Sequence, residues 1–136
     1  MYRILLVEDD ENTRAGLAEL LRQEGYAVES VATASAARSA VSRTVNLILS
    51  DLHLPDVSGL DLLEDIRRGI PNIPSVMMTA NGTPENRRRG ARLGVRHWLQ
   101  KPLDLPKLLA VIRETVNEET KGNPSQFKTK AAYVES

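Results

Sequence analysis

Short runs of consecutive apolar residues alternate along this chain with longer stretches where apolar residues recur every three or four positions. Ile4-Leu5-Leu6-Val7 is such a run and stops at Glu8-Asp9-Asp10. A strand covered on both faces reads this way, which predicts a buried parallel strand. Leu17, Leu20 and Leu21 then share a helical face, with Gly25 as a left-handed stop. Tyr26–Val31 fits a second strand. Residues 33–43 fit an Ala- and Ser-rich helix with Ala37 and Val41 in register. Leu47-Ile48-Leu49 is a third buried strand, ending at Ser50-Asp51. A loop from His53 to Ser58 leads into a helix carrying Leu60, Leu63 and Ile66, closed by Gly69. Ser75–Thr79 is the fourth strand. Thr83-Pro84 is an N-cap followed by proline at the first helical position. The helix it opens contains Gly90, which costs about 1 kcal/mol against Ala and makes this a soft element; Gly94 ends it. His97-Trp98-Leu99 is the fifth strand. Asp104 caps a last helix whose stripe is Leu105, Leu108, Leu109, Ile112 and Val116.

Five alternations of strand and helix predict an α/β domain built on a parallel sheet with right-handed crossovers. The pattern defines the class and leaves the strand order open. From about Asn117 the pattern fades, and Lys121–Gln126 has the composition of a linker. The expected division is therefore a domain over 1–118 and a linker or disordered tail over 119–136, leading to an output domain that is absent here.

Composition narrows the function. The 136 residues suit one domain, and a hydrophobic share of 41% supports a core. Zero formal net charge argues against direct nucleic-acid binding by this chain. Absence of cysteine excludes disulfides and thiolate metal sites. No apolar run is long enough for a signal segment or a membrane span, so a soluble, cytoplasmic protein without a membrane partner is expected. Arg87-Arg88-Arg89 with Arg92 reads either as a docking face for an acidic partner or as a solvated helix face.

The chemistry sits where strands end. Asp9-Asp10 follows the first strand, Asp51 ends the third, Thr79 the fourth, and Lys101 follows the fifth. Ligands of open parallel sheets bind outside the carboxyl ends of the strands, so the fold gathers three carboxylates, a hydroxyl and an ammonium. Two carboxylates about 4 Å apart repel by roughly 4 kcal/mol at an effective dielectric near 20. Three of them need a cation, or one must take a proton; oxygen ligands in a part-open site suit Mg²⁺. Metal on one side and Lys101 on the other would neutralise a phosphoryl group, with one carboxylate as nucleophile.

Four motifs together resemble the response-regulator receiver family over residues 1 to about 118. They are Leu-Val-Glu-Asp-Asp at 6–10, Ser-Asp-Leu-His-Leu-Pro-Asp-Val-Ser-Gly at 50–59, Met-Thr-Ala at 78–80 and Trp-Leu-Gln-Lys-Pro at 98–102. The resemblance implies a doubly wound, flavodoxin-like or CheY-like (βα)5 fold with strand order 2-1-3-4-5. It implies a phosphoprotein of two-component, phosphorelay signal transduction, with Asp51 as phosphoacceptor. It further implies Asp10 as the direct Mg²⁺ ligand, Asp9 holding metal-bound water, and the His53 backbone carbonyl as a further ligand. Lys101 would pair with the phosphoryl oxygens. Thr79 would bond to them as the switch, beside a small Ala80. Trp98, standing where Tyr or Phe is usual, would turn inward with Thr79. Pro102 would follow a cis peptide. His53 and Asn81 would flank the path of hydrolytic water.

Implied partners are a sensor histidine kinase or phosphotransfer protein. The output would be a phosphorylation-dependent homodimer, or an effector or output domain, acting through the surface of helix four, strand five and helix five. Self-phosphorylation and autodephosphorylation would be its only chemistry, without enzymatic turnover. Two other readings stand beside this one. A receiver-like interaction module would never be phosphorylated. An aspartyl-phosphate hydrolase of the haloacid-dehalogenase kind would carry a second Asp two residues past the nucleophile, where this chain has His53.

Overall fold

The computed structural model describes residues 1–121, with side chains as far as Glu118. In chain order the elements are β1 (Arg3–Val7), α1 (Glu11–Gln23), β2 (Ala27–Val31), α2 (Ala34–Ala40), β3 (Leu47–Asp51), α3 (Gly59–Gly69), β4 (Ser75–Thr79), α4 (Pro84–Leu93), β5 (Val95–Gln100) and α5 (Leu105–Lys121). The strands form one sheet in the order β2-β1-β3-β4-β5, and every pairing is parallel. The alternating pattern and the resemblance thus anticipated both class and order. The chain divides into two compact units, Met1–Asp104 and the segment beginning with α5.

Each helix of the first unit begins on a side chain that satisfies free N–H groups. Asp10 caps α1, Thr33 caps α2, and Ser58 with Asp61 forms a capping box on α3. Thr83 caps α4, where Pro84 occupies the first turn and Gly94, at φ 83°, ends the helix. Gly25, past the end of α1, has φ 97°. Both glycines occupy the left-handed region that side chains disfavour.

The centre of the sheet is fully buried. Every residue of β3 and β4 is buried, as is every residue of β1 after Arg3. Alternation along β1 sends Leu5 and Val7 into a cluster with Ala34, Ala37, Ile48, Leu62 and Ile66. A second cluster of Leu52, Leu60, Leu63 and Met77 is flanked by Leu93, Val95 and Trp98. The edge strands β2 and β5 are only partly covered.

Some details differ from the expectations. β5 starts two residues earlier than His97. α2 stops at Ala40, because Val41 takes an extended conformation at φ −70°, ψ 141°. Leu105, expected on the α5 stripe, is exposed at the first position of that helix; the buried positions are Leu108, Ile112 and Thr115. The α5 backbone continues to Lys121, three residues into the segment expected as a linker or tail, and the remainder of that segment lies outside the described residues.

Candidate functional site

Strand register assembles the site. Val7 pairs with Ser50, Ser50 with Met77, and Met77 with Trp98, which makes one row across four strands. Asp51 pairs with Met78 one step further along. Thr79 is last in β4, and its carbonyl accepts the Lys101 N–H at 2.9 Å. Glu8 follows β1, and its N–H donates to Val31 O at 3.0 Å. Side chains remote in sequence therefore meet at the carboxyl edge, where the winding direction changes between β1 and β3.

Lys101 is the hub. Its Nζ lies 2.6 Å from Asp51 Oδ2 and 2.8 Å from Glu8 Oε1. Burial pushes the pKa of this ammonium down. The hydrogen bonds to Asp51 and Glu8, with the attraction of both carboxylates, outweigh burial, and the net shift is upward. Asp51 is buried, and its Oδ1 accepts the His53 N–H at 3.0 Å. The peptide bond between Lys101 and Pro102 is cis.

Glu8, Asp9 and Asp51 each place a carboxylate oxygen within 4.8 Å of the others. One ammonium cannot balance three carboxylates, and the deficit at this spacing is the kind a divalent cation relieves. A donor set of oxygens alone, with Asp9 exposed beside two buried partners, fits Mg²⁺ retaining some of its water.

Asp10, expected as the direct ligand, is not part of this trio. Its carboxylate turns back on α1, accepting Thr13 N at 2.9 Å and Thr13 Oγ1 at 2.7 Å. The Thr13 amide first, then the Thr13 hydroxyl, hold its pKa below the usual carboxylate range. Glu8, which the sequence reading passed over, takes the vacant place in the trio: it is 1% exposed and bonded to Lys101. The signal for this was present. Asp10-Glu11-Asn12-Thr13 places a hydroxyl three residues after an N-cap carboxylate, which occupies Asp10.

The other anticipated residues surround this centre. Thr79 is 2% exposed, and its Oγ1 accepts the Asn81 N–H at 3.1 Å. Ala80 is exposed beside it, as is His53 on the other side of Asp51. A Cβ at Gly59 would collide with the Asp51 carbonyl oxygen, so only glycine lets α3 start this close to the end of β3. Trp98 is half-buried and lies over Gly90, where a Cβ would come 2.5 Å from its Cζ2. The Arg87 guanidinium sits 5.3 Å from the ring centroid.

The model of the response regulator receiver domain matches residues 4–113. This chain belongs to that family. The receiver domain is 34% identical over 113 residues to the Transcriptional regulatory protein CpxR homolog of Haemophilus influenzae, covering 83% of this chain and 49% of that protein. It is 33% identical over 112 residues to the Transcriptional regulatory protein CusR of Escherichia coli, covering 82% and 49%. The receiver domain thus spans about half the length of these curated relatives. Among solved structures it is similar to the non-phosphorylated HemR receiver domain from Leptospira biflexa, with TM-score 0.82, 36% identity and coverage of 85% of this chain and 94% of that one. A CheY-like receiver domain protein from Methanospirillum hungatei gives TM-score 0.85 and 32% identity, covering 90% and 98%. The family assigns the receiver domain to two-component signalling. No helix among the described residues is long and apolar enough to cross a membrane.

Proposed function

We infer that this receiver domain accepts a phosphoryl group on Asp51 and is switched by it. The observation that carries this reading is the Lys101 ammonium, 2.6 Å from a buried Asp51 carboxylate beside a trio of carboxylates. Asp9 and Asp51 would hold Mg²⁺, with the His53 carbonyl as a further ligand and Glu8 completing the acidic set in place of Asp10. Bound there, Mg²⁺ would supply charge neutralisation to the phosphoryl oxygens.

The residues of the chain do the rest. An Asp51 carboxylate oxygen attacks the phosphorus of a phosphohistidine presented by a sensor histidine kinase or phosphotransfer protein. The new O–P bond forms as the P–N bond breaks, and the imidazole leaves. Lys101 transfers its hydrogen bond from the carboxylate to a phosphoryl oxygen, where a charge-assisted bond is strong. The Asn81 amide occupies a lone pair of Thr79 Oγ1 and leaves the hydroxyl proton available to a phosphoryl oxygen. Exposed Ala80 leaves space beside it. Water cleaves the acyl phosphate past His53 and Asn81 and resets the domain. The chemistry is self-modification and reset, without turnover of a free substrate. Movement of Thr79 and Trp98 would carry the state to α4, β5 and α5, and from there to a homodimer, an effector or an output domain in the cytoplasm. Residues 1–118 would make up the receiver and the following segment the link to its output.

Beryllofluoride with Mg²⁺ mimics the acyl phosphate and needs no kinase. The expected result is a saturable, Mg²⁺-dependent change in Trp98 fluorescence and a fluorine NMR adduct signal, both absent in Asp51→Asn. If wild-type protein forms no adduct, the reading fails and an unphosphorylated interaction module takes its place.

A further inference from the structure

Arg14 lies behind the acidic loop and touches no carboxylate of the trio. It extends from α1, and its Nη1 donates to the Glu8 carbonyl at 2.9 Å and lies 3.4 Å from the Asp9 carbonyl. These are the backbones of the two residues that bring β1's carboxylates to the site. In the same loop the Asp10 N–H donates to Glu8 Oε2 at 3.1 Å. Resting on the phosphoacceptor reading, we propose that Arg14 is a positioning residue: it holds the peptide planes of Glu8 and Asp9 so that their carboxylates are arranged for a divalent cation before one arrives.

Two cations serve this acidic centre through different atoms. Lys101 binds Glu8 and Asp51 through their carboxylate oxygens and competes for the lone pairs a metal would use. Arg14 spends its donor on main-chain carbonyls, so it restrains the loop and leaves the Asp9 oxygens free. Both contacts come from the one nitrogen Nη1, which the planar guanidinium holds in a fixed direction. Groups that orient metal ligands from outside typically contribute about 10- to 100-fold to metal affinity.

Charge alone predicts the opposite sign. A cation close to the site repels a dication, so removing it without any other effect would tighten metal binding. Positioning predicts weaker binding, and the two can be separated by experiment. The probe is Mn²⁺ alone, with free ion followed by electron paramagnetic resonance in the full chain, wild type against Arg14→Ala and Arg14→Lys. Arg14→Ala is expected to raise the Mn²⁺ dissociation constant about 10-fold or more. Arg14→Lys, which keeps the charge and loses the planar guanidinium, is expected to fall between the two. The beryllofluoride adduct at saturating Mg²⁺ should reach the wild-type level, with only the midpoint moved. Amide exchange in the metal-free protein should quicken at Asp10. Arg14→Lys keeps the test decisive if Arg14→Ala does not fold. Mn²⁺ affinity in either folded variant equal to or tighter than wild type overturns the proposal while leaving the phosphoacceptor reading intact. Wild-type protein that binds no Mn²⁺ overturns both.

Discussion

The acidic edge and the α4–β5 region are built to different tolerances. The strands beneath Asp51 are buried along their length, and Gly59 presses α3 against the Asp51 carbonyl. Around Trp98 the packing is thinner. α4 buries only Gly90, and β5 buries only Leu99. The contrast suits a domain in which chemistry needs fixed distances and the response needs a surface that can move. An edge as soft as α4 would blur the site, and an α4 packed like β3 would have no second arrangement to adopt.

The largest predicted effect falls on the rigid side. Lys101→Met should lower beryllofluoride adduct formation by about 100-fold or more, the scale of removing one preorganised donor, as read by fluorine NMR. An adduct at near wild-type level would show that the ammonium is not central. Gly59→Ala should cost about 1–3 kcal/mol in urea unfolding, because its Cβ would run into the Asp51 carbonyl, a backbone atom that cannot swing aside, with Met77 Sδ and Ser50 Oγ also close. Gly90→Ala pits two terms against each other. Helix propensity contributes about 1 kcal/mol in its favour. Overpacking against Trp98 costs about 1–3 kcal/mol. A small net loss with a shifted Trp98 emission spectrum is expected; a gain with unchanged emission would mean that the indole is free to leave.

The smallest effect is a pH dependence across α3 and α4. Arg89 Nη2 lies 2.6 Å from Asp61 Oδ1 and 3.0 Å from Glu64 Oε1. The hydrogen bond from Arg89 lowers the Asp61 pKa from its ordinary 3.8. A depressed carboxylate contributes stability above its unfolded-state value, and that stability is lost as pH falls through the folded value. The Asp61 side chain is half exposed and that of Arg89 partly so, and the contribution is of the order of 0.2–1 kcal/mol. Amide exchange in α4, corrected for intrinsic rates, should quicken below pH 3.8 in wild type and show no such step in Asp61→Asn.

Much of this was legible in the chain. Asp51 and Thr79 end short, largely apolar runs that read as buried strands, Lys101 follows a partly covered one, and parallel pairing then brings their ends together. The choice among Glu8, Asp9 and Asp10 was less accessible. Three acids in a row leave the facing pair dependent on a single residue, the point where strand gives way to helix cap, and the bond from Thr13 to Asp10 settles that point. Gly90 was readable as a helix weakness. Its reason, an indole from the next strand resting on its backbone, depends on a contact across the α4–β5 turn that no local pattern encodes.

The row from Val7 through Ser50 and Met77 to Trp98 has a consequence for the fidelity of the signal. Sliding a strand by one residue turns every side chain to the other face. A molecule with β3 misplaced in this way would carry the Asp51 carboxylate away from Lys101. It would be silent, because nothing would remain to receive a phosphoryl group. Folding errors in the centre of the sheet therefore subtract from the response and do not add false messages to it.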